Sequence, residues 1–321
     1  HYALQETGVD YEMVTAFDNN SVANQCYVHN FGLKPTSTNL EHLAISYFSK
    51  LDADCWLLSP PCQPYTRGGK CMDDEDPRAA ALLHLVNVLA GIKKPPRWIF
   101  VENVLNFESS RSRRRLVEVL AERGYRVEEF LISPKDPWAE RMQEDPMPVK
   151  DDYIIKSLSE VLGPAPEGAI PKIREFMRPE GVDPAYLVPD KYIMGYVNYK
   201  HDIAKPDGIK STTFTKAYGS NYIIGTGSFL QTERLDLQYE PDDKTILPTL
   251  GLRFFTPYEI ALLHALPVEG ATTTDVKLKH KFSFPPNSTT AQQYRLLGNS
   301  LNVRVVSRIL SHLLLPRLDF K

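Results

Sequence analysis

The sequence predicts an α/β protein, a doubly wound and mostly parallel sheet carrying a smaller loop-rich domain, and three observations predict it. From residue 1 to about 133, short apolar runs alternate with amphipathic stretches, the pattern of strands joined by crossover helices. Between about 134 and 250 prolines crowd in, from Pro134 and Pro137 to Pro184 and Pro189, and periodicity weakens. After 250 the helical period returns. A chain of 321 residues with 42% hydrophobic and 24% charged residues has enough core to fold without staples.

Met13 to Phe17 is apolar and stops at Asp18-Asn19-Asn20, which reads as a strand followed by a helix start. Val22, Ala23, Cys26 and Tyr27 then recur at helical spacing. Cys55 to Leu58 reads as a second, buried strand, halted by Ser59-Pro60-Pro61. Ala80 to Leu89 is a helix with Leu82, Leu85, Val86 and Leu89 on one face. Trp98 to Val101 is a third buried strand, ended by Glu102-Asn103. A helix over Leu116–Ala121 and a strand over Tyr125–Ile132 close this half, and that last strand finds no partner strand before the proline-rich region. Toward the end, Thr256-Pro257-Tyr258-Glu259 is a capping box with proline at the first helical position, opening a helix through Leu266. Asn302 to Leu314 is another helix, with Val303, Val306, Ile309, Leu310 and Leu313 along its apolar face. The expected division is a catalytic domain over 1–150 and 251–321 with a small domain over 151–250.

Composition excludes several classes. No run of about 18 apolar residues could span a membrane. Four cysteines (Cys26, Cys55, Cys62, Cys71) form neither a CxxC pair nor a framework, so they read as reduced thiols of an intracellular protein. A net charge of −3 argues against coating nucleic acid along the whole surface while allowing a local basic groove. The opening His1-Tyr2-Ala3-Leu4 has no charged leader and reads as a helix already under way.

In doubly wound sheets, ligands bind beyond the carboxyl ends of the strands. Three strand ends carry unusual residues. Asp18 stands where a carboxylate could take a ribose, although aspartate is also a good helix N-cap. Cys62 follows a strand among three prolines and polar side chains, a poor setting for an inert core thiol. Glu102 leaves a strand where desolvation would raise its pKa and let it hold a proton near neutrality; an ordinary strand-to-helix turn is the alternative. A thiolate nucleophile and a proton donor on one sheet form a working pair.

Pro61-Cys62-Gln63, Glu102-Asn103-Val104 and Gly298-Asn299-Ser300 resemble, in order, three motifs of the cytosine-5 methyltransferases. Ser59 before Pro-Pro-Cys-Gln-Pro-Tyr-Thr-Arg, Thr213-Phe214-Thr215-Lys216-Ala217-Tyr218, Arg253-Phe254-Phe255-Thr256-Pro257 and Tyr294 to Val303 are most similar to the branch that methylates cytosine 38 of aspartate tRNA. The resemblance implies the Rossmann-like fold of S-adenosylmethionine-dependent methyltransferases with a target-recognition domain. It further implies S-adenosylmethionine as methyl donor, S-adenosylhomocysteine as product, no metal, and a monomeric enzyme of the cytoplasm and nucleus acting on tRNA. Cys62 would be the nucleophile at carbon 6 of the base, and Glu102 the proton donor at ring nitrogen 3. Asp18 would bind the ribose, Leu40 and Glu41 would flank the adenine, Ser59 would line the cofactor, and Asn299 with Ser300 would close over its methionine end. Gln63, Arg67, Arg111, Arg113, Arg114, Thr213, Phe214, Thr215 and Lys216 would contact the nucleic acid, with Lys277, Lys279, His280 and Lys281 as a second basic cluster.

The departures are specific. Thr213 stands where the branch has cysteine. The glycine-rich turn that cradles the methionine part of the cofactor, and an Asn-Ser-Arg-x-Arg segment after the Tyr125–Ile132 strand, are not in the sequence. We expect stretches to be missing before His1 and near Asp136-Pro137. A DNA cytosine-5 methyltransferase is the alternative within the chemistry, and a catalytically inactive nucleic-acid-binding relative is the alternative outside it.

Overall fold

A computed structural model describes residues 1–66, 72–132, 154–155, 171–178, 183–195, 199–220, 224–270 and 281–315. The unit that positions the chemistry is β1 (Cys55–Leu58), α4 (Ala80–Gly91) and β2 (Trp98–Val101), preceded by α1 (Tyr2–Glu6), α2 (Ser21–Phe31) and α3 (Ile45–Leu51). The two strands run parallel with Cys55 opposite Trp98 and Leu58 opposite Val101, so both chains leave the sheet at the same edge. The register is held by packing on both sides of α4. Leu82, Val86 and Leu89 pack with Leu116 and Leu120 of α5 (Arg111–Glu122) and with Trp56, Ile99 and Val101. Leu85, Val88 and Ile92 meet Phe48, Leu40 and Leu58 on the other flank.

The sheet is smaller than the sequence suggests. The Met13–Phe17 strand is reduced to one parallel bridge between Phe17 and Thr36, fastened by Asp18 N to Thr36 O at 3.2 Å and Thr36 N to Ala16 O at 2.8 Å. The β1 and β2 residues are half-buried rather than buried, and Leu57 is exposed, because these two strands pair only with each other among the described residues. The strand expected over Tyr125–Ile132 contracts to β3 (Glu129–Phe130). It is not left unpaired, since β4 (Ile154–Ile155) lies parallel to it. The break expected near Asp136-Pro137 lies outside the described residues.

The second half is organised around another core. After α6 (Asp190–Met194), strands β5 (Ile203–Ala204) and β6 (Phe229–Leu230) run parallel, and β7 (Arg253–Phe254) runs antiparallel to β6. The expected boundary at 250/251 therefore passes between two paired strands. Phe229, Leu230, Leu250, Phe254 and Phe255 share one buried cluster with Ile260 of α7 (Pro257–Leu263), Leu297 of α8 (Thr290–Leu297) and Leu310 of α9 (Val303–Leu314). The capping box forms as expected: Glu259 N donates to Thr256 Oγ1 at 3.2 Å and Thr256 N to Glu259 Oε2 at 2.8 Å. The helix stops at Leu263 rather than Leu266, because Ala265 adopts a left-handed φ of 54° that no helix continues through. No described helix is long and apolar enough to cross a membrane.

Candidate active site

Parallel register is what brings the two candidate catalytic residues together. Glu102 N donates to Leu58 O at 2.9 Å, extending the strand ladder one step past β2. Asn103 Nδ2 then reaches Pro60 O at 3.4 Å, and Asn106 Nδ2 reaches Tyr65 O at 3.1 Å. Cys62 sits between those last two acceptors, in a turn closed by Tyr65 N to Cys62 O at 3.0 Å. The Tyr65 ring is buried and packs edge-on against Phe107, with centroids 5.0 Å apart. The cysteine loop and the glutamate loop are thus stitched along their length.

Asn103 and Asn106 were not among the candidate residues read from sequence. Asn106 has φ of 83°, the left-handed region that asparagine tolerates better than most residues, and this aims its amide back at the cysteine loop. An asparagine four residues beyond a strand-end glutamate is the available signal, and it is a weak one.

The chemistry of the pair follows from what each group lacks. The Cys62 thiol and the Glu102 carboxyl are half-buried, and neither has a side-chain hydrogen-bond or ion-pair partner among the described residues. Burial without a compensating partner raises the Glu102 pKa above the usual carboxylate range. It can therefore hold a proton to a higher pH than an exposed acid. Burial also pushes the Cys26 and Cys55 thiols up to about 11, which keeps them protonated and unreactive near neutral pH.

The cofactor candidates stand on separate elements. Asp18 is not the helix cap; that role belongs to Asn20, whose Oδ1 accepts from Val22 N and Ala23 N. Asp18 instead offers Oδ1 to Asn20 N at 2.8 Å, leaving its other oxygen without a partner among the described residues on an exposed side chain. Leu40 and Glu41 open a single 3-10 turn, Leu40 packing on Phe48 and Glu41 exposed. Ser59, Asn299 and Ser300 are exposed, and Ser300 Oγ donates to Leu296 O at 2.8 Å. An exposed carboxylate with a spare oxygen and an exposed Asn-Ser turn are groups that a nucleoside cofactor could use.

Gly298 is more than a break between helices. A Cβ there would stand 2.6 Å from Lys216 Cα and nearer still to Lys216 N and Thr215 C. The backbone of the Thr213–Lys216 segment lies directly on the turn that carries Asn299 and Ser300. Within that segment Phe214 is buried against Tyr218 and Phe255, and Thr215 N donates to Thr226 O at 2.9 Å, so these two residues serve the core first.

The basic cluster changes meaning in three dimensions. Arg113 is buried and its fork grips Glu129, so it cannot serve as the phosphate contact expected of it. Arg111 bonds Asp74 and Glu75, with Asp73 beside it, which leaves that patch net negative and unsuited to the same task. Arg114 is exposed with no ion pair among the described residues. Gln63 is half-buried in the cysteine turn; Arg67, Cys71, Lys277, Lys279 and His280 lie outside the described residues.

Comparison with known proteins agrees with this arrangement. A profile of the C-5 cytosine-specific DNA methylases matches residues 1–136. The mouse tRNA (cytosine(38)-C(5))-methyltransferase is 31% identical over 97% of this chain and 89% of its own. A Dictyostelium discoideum DNA (cytosine-5)-methyltransferase is 31% identical over 98% of this chain and 91% of its own. Among solved structures, the Schizosaccharomyces pombe Dnmt2 methyltransferase superposes with a TM-score of 0.77 at 30% identity, covering 98% of this chain and 94% of that one. With likeness sustained along nearly its whole length, and with its cysteine and glutamate loops joined at one sheet edge, this chain belongs to the C-5 cytosine methyltransferase family.

Proposed function

We propose that this enzyme methylates carbon 5 of cytosine in tRNA, with cytosine 38 in the anticodon loop of aspartate tRNA as its target. The observation that carries the reading is the pair of half-buried groups, Cys62 and Glu102, without partners among the described residues, on loops stitched together past the carboxyl ends of two parallel strands. The near-full-length likeness to tRNA cytosine-38 methyltransferases supplies the substrate class.

Carbon 5 of cytosine is a poor nucleophile until the ring is made electron-rich. The Cys62 thiolate adds to carbon 6, forming a C–S bond, while Glu102 delivers its proton to nitrogen 3 and takes the charge that leaves the ring. Asp18 would hold the ribose of S-adenosylmethionine, with Leu40 and Glu41 at the adenine and Asn299 and Ser300 at the methionine end. When bound, the cofactor supplies an electrophilic methyl group for carbon 5. The carbon 5 proton then passes to solvent water as base, its bonding pair forms the carbon 5–carbon 6 double bond and expels Cys62 as thiolate, and nitrogen 3 returns its proton to Glu102. The base must be out of its stack for the sulfur to reach the ring face, which costs a few kcal/mol in a duplex and less in a loop. That difference favours an anticodon loop.

DNA is the second reading, favoured by the Dictyostelium relative that bears that name. Methyl transfer from labelled S-adenosylmethionine to total tRNA and to genomic DNA, side by side and with Cys62→Ala as control, decides between them. Label in DNA alone would reject the tRNA assignment.

A further inference from the structure

Arg78 is an arginine that neither composition nor motif singles out, and the fold places it on the cysteine side of the site. The chain leaving the Cys62–Tyr65 turn comes back to it, with Asp73 N donating to Pro64 O at 3.3 Å. Two short 3-10 turns follow, Asp73–Glu75 and Pro77–Ala79, with Asp76 capping the second through Arg78 N at 3.0 Å. The same carboxylate grips the guanidinium side-on: Arg78 Nε reaches Oδ1 at 2.9 Å and Nη2 reaches Oδ2 at 2.6 Å.

The pair is asymmetric. The Asp76 side chain is 4% exposed and that of Arg78 is 50% exposed. The acid lies behind and the base in front, so the surface in front of the pair is positive although the pair itself is neutral. One edge of the fork is used, and Nη1 has no partner among the described residues. The hydrogen bonds that Arg78 donates to Asp76 are the chief reason its pKa is raised, and the Cys62 sulfur lies within its electrostatic reach. A loose surface arginine loses side-chain freedom when it grips a ligand; one already clamped loses little. This sets Arg78 apart from Arg111 and Arg113, whose acids leave them no such face.

A base turned out toward Cys62 rotates about its own backbone, which brings its flanking phosphates to the rim of the pocket. Backbone contacts of this kind fix register while carrying no sequence information. We propose that Arg78, clamped by Asp76, is the contact for a phosphodiester flanking the cytosine presented to Cys62. The proposal rests on the reading of the chain as an RNA cytosine methyltransferase.

The test is the salt dependence of binding to an aspartate tRNA transcript, without cofactor, for the unaltered chain and Arg78→Gln. Loss of one phosphate contact makes the slope of log affinity against log salt shallower by about 0.7 on single-stranded RNA. We expect that change, with binding weakened about tenfold, and a methylphosphonate beside the target cytosine weakening the unaltered chain while leaving Arg78→Gln indifferent. Unchanged slope and affinity in Arg78→Gln would overturn the contact. If Arg78→Gln does not fold, Asp76→Asn keeps the charge but frees the guanidinium. It should bind more weakly with the slope retained, and undiminished binding would overturn the proposal equally. Methylation of the same transcript by the unaltered chain separates the two ideas. Methylation together with an indifferent Arg78→Gln rejects the contact alone, and no methylation rejects the function as well.

Discussion

The amide of Glu102 donates to the carbonyl of Leu58 over 2.9 Å, so the last rung of the parallel ladder lies at the residue proposed to hold the proton. Everything beyond that rung is loop, yet the loops are not independent. Pro60 and Tyr65 accept from Asn103 and Asn106 on either side of Cys62. The relative placement of the proposed nucleophile and acid is inherited from the register of the two parallel strands. Catalytic groups on a rigid scaffold need little reorganisation as the reaction proceeds.

Cys62→Ala is expected to abolish methyl transfer while cofactor affinity changes little, since the sulfur is required only for addition to the ring. The measurement is turnover alongside equilibrium binding of S-adenosylhomocysteine. RNA carrying 5-fluorocytosine should trap the unaltered enzyme as a covalent adduct at Cys62, because fluorine cannot leave as a cation. Turnover retained in Cys62→Ala would remove the cysteine from the mechanism.

Glu102→Gln should slow the reaction by about 10²–10³ with RNA affinity nearly unchanged, the typical cost of losing one group that stabilises developing charge. Glutamine can donate a hydrogen bond to nitrogen 3 but cannot deliver a proton. Burial raises the Glu102 pKa, so the protonated fraction falls as pH climbs through that raised value, and kcat should fall with it. The variant should lack that limb of the pH profile. Stability falls in the same direction. A carboxyl whose folded pKa lies above its unfolded value of about 4.3 favours the fold at lower pH and disfavours it as pH rises past the raised value. Glu102→Gln should therefore melt higher than the unaltered chain at pH 7 and equally at pH 4.

Much of this was legible in the sequence where a local rule decided the outcome. Short apolar runs cut by Ser59-Pro60-Pro61 and by Glu102-Asn103 marked the strand ends that carry the chemistry. Thr256 and Glu259 announced their own capping box. What could not be read depended on partners distant in sequence. Met13 to Phe17 has the composition of a strand, but strand length is set by the neighbour, and here the neighbour gives one bridge to Thr36. Glu128 and Glu129 stand near the run of arginines from Arg111 in the sequence, but only the fold shows that Glu129 takes Arg113 and that Asp73, Asp74 and Glu75, 36–38 residues away, surround Arg111. Arg78 stayed hidden for the opposite reason, being a lone arginine whose importance comes from the acid behind it.

Arg253 and Glu259 provide a test of how the second core is joined. Arg253 Nη1 and Nη2 reach the two Glu259 oxygens at 2.8 Å each, and both side chains are almost wholly inaccessible to solvent. Glu259 also accepts from Thr256 N and Arg178 N, tying β7, α7 and the Ile173–Phe176 turn to one carboxylate. Arg253→Met leaves that carboxylate buried and unmatched, and removing one partner of a buried pair typically costs about 3–5 kcal/mol. Denaturant unfolding should show a loss of that order. A loss below about 1 kcal/mol would mean that water reaches the pair.

Gly298→Ala isolates the contact between the Asn299-Ser300 turn and the Thr213–Lys216 segment. Gly298 has φ of −69°, a conformation alanine adopts freely, so the substitution carries no backbone strain of its own. Its methyl group would meet Lys216 Cα at 2.6 Å, and the atoms it strikes are all main chain. No side chain can swing aside, so either the turn or the segment must shift. Overpacking of this kind costs about 1–3 kcal/mol. If the turn closes over the cofactor and the segment faces the RNA, one added methyl should weaken both ligands together in separate equilibrium binding measurements. Loss of tRNA affinity with cofactor affinity intact would show that the displacement is taken up on the RNA side alone, and that Asn299 and Ser300 keep their place without Lys216 against them.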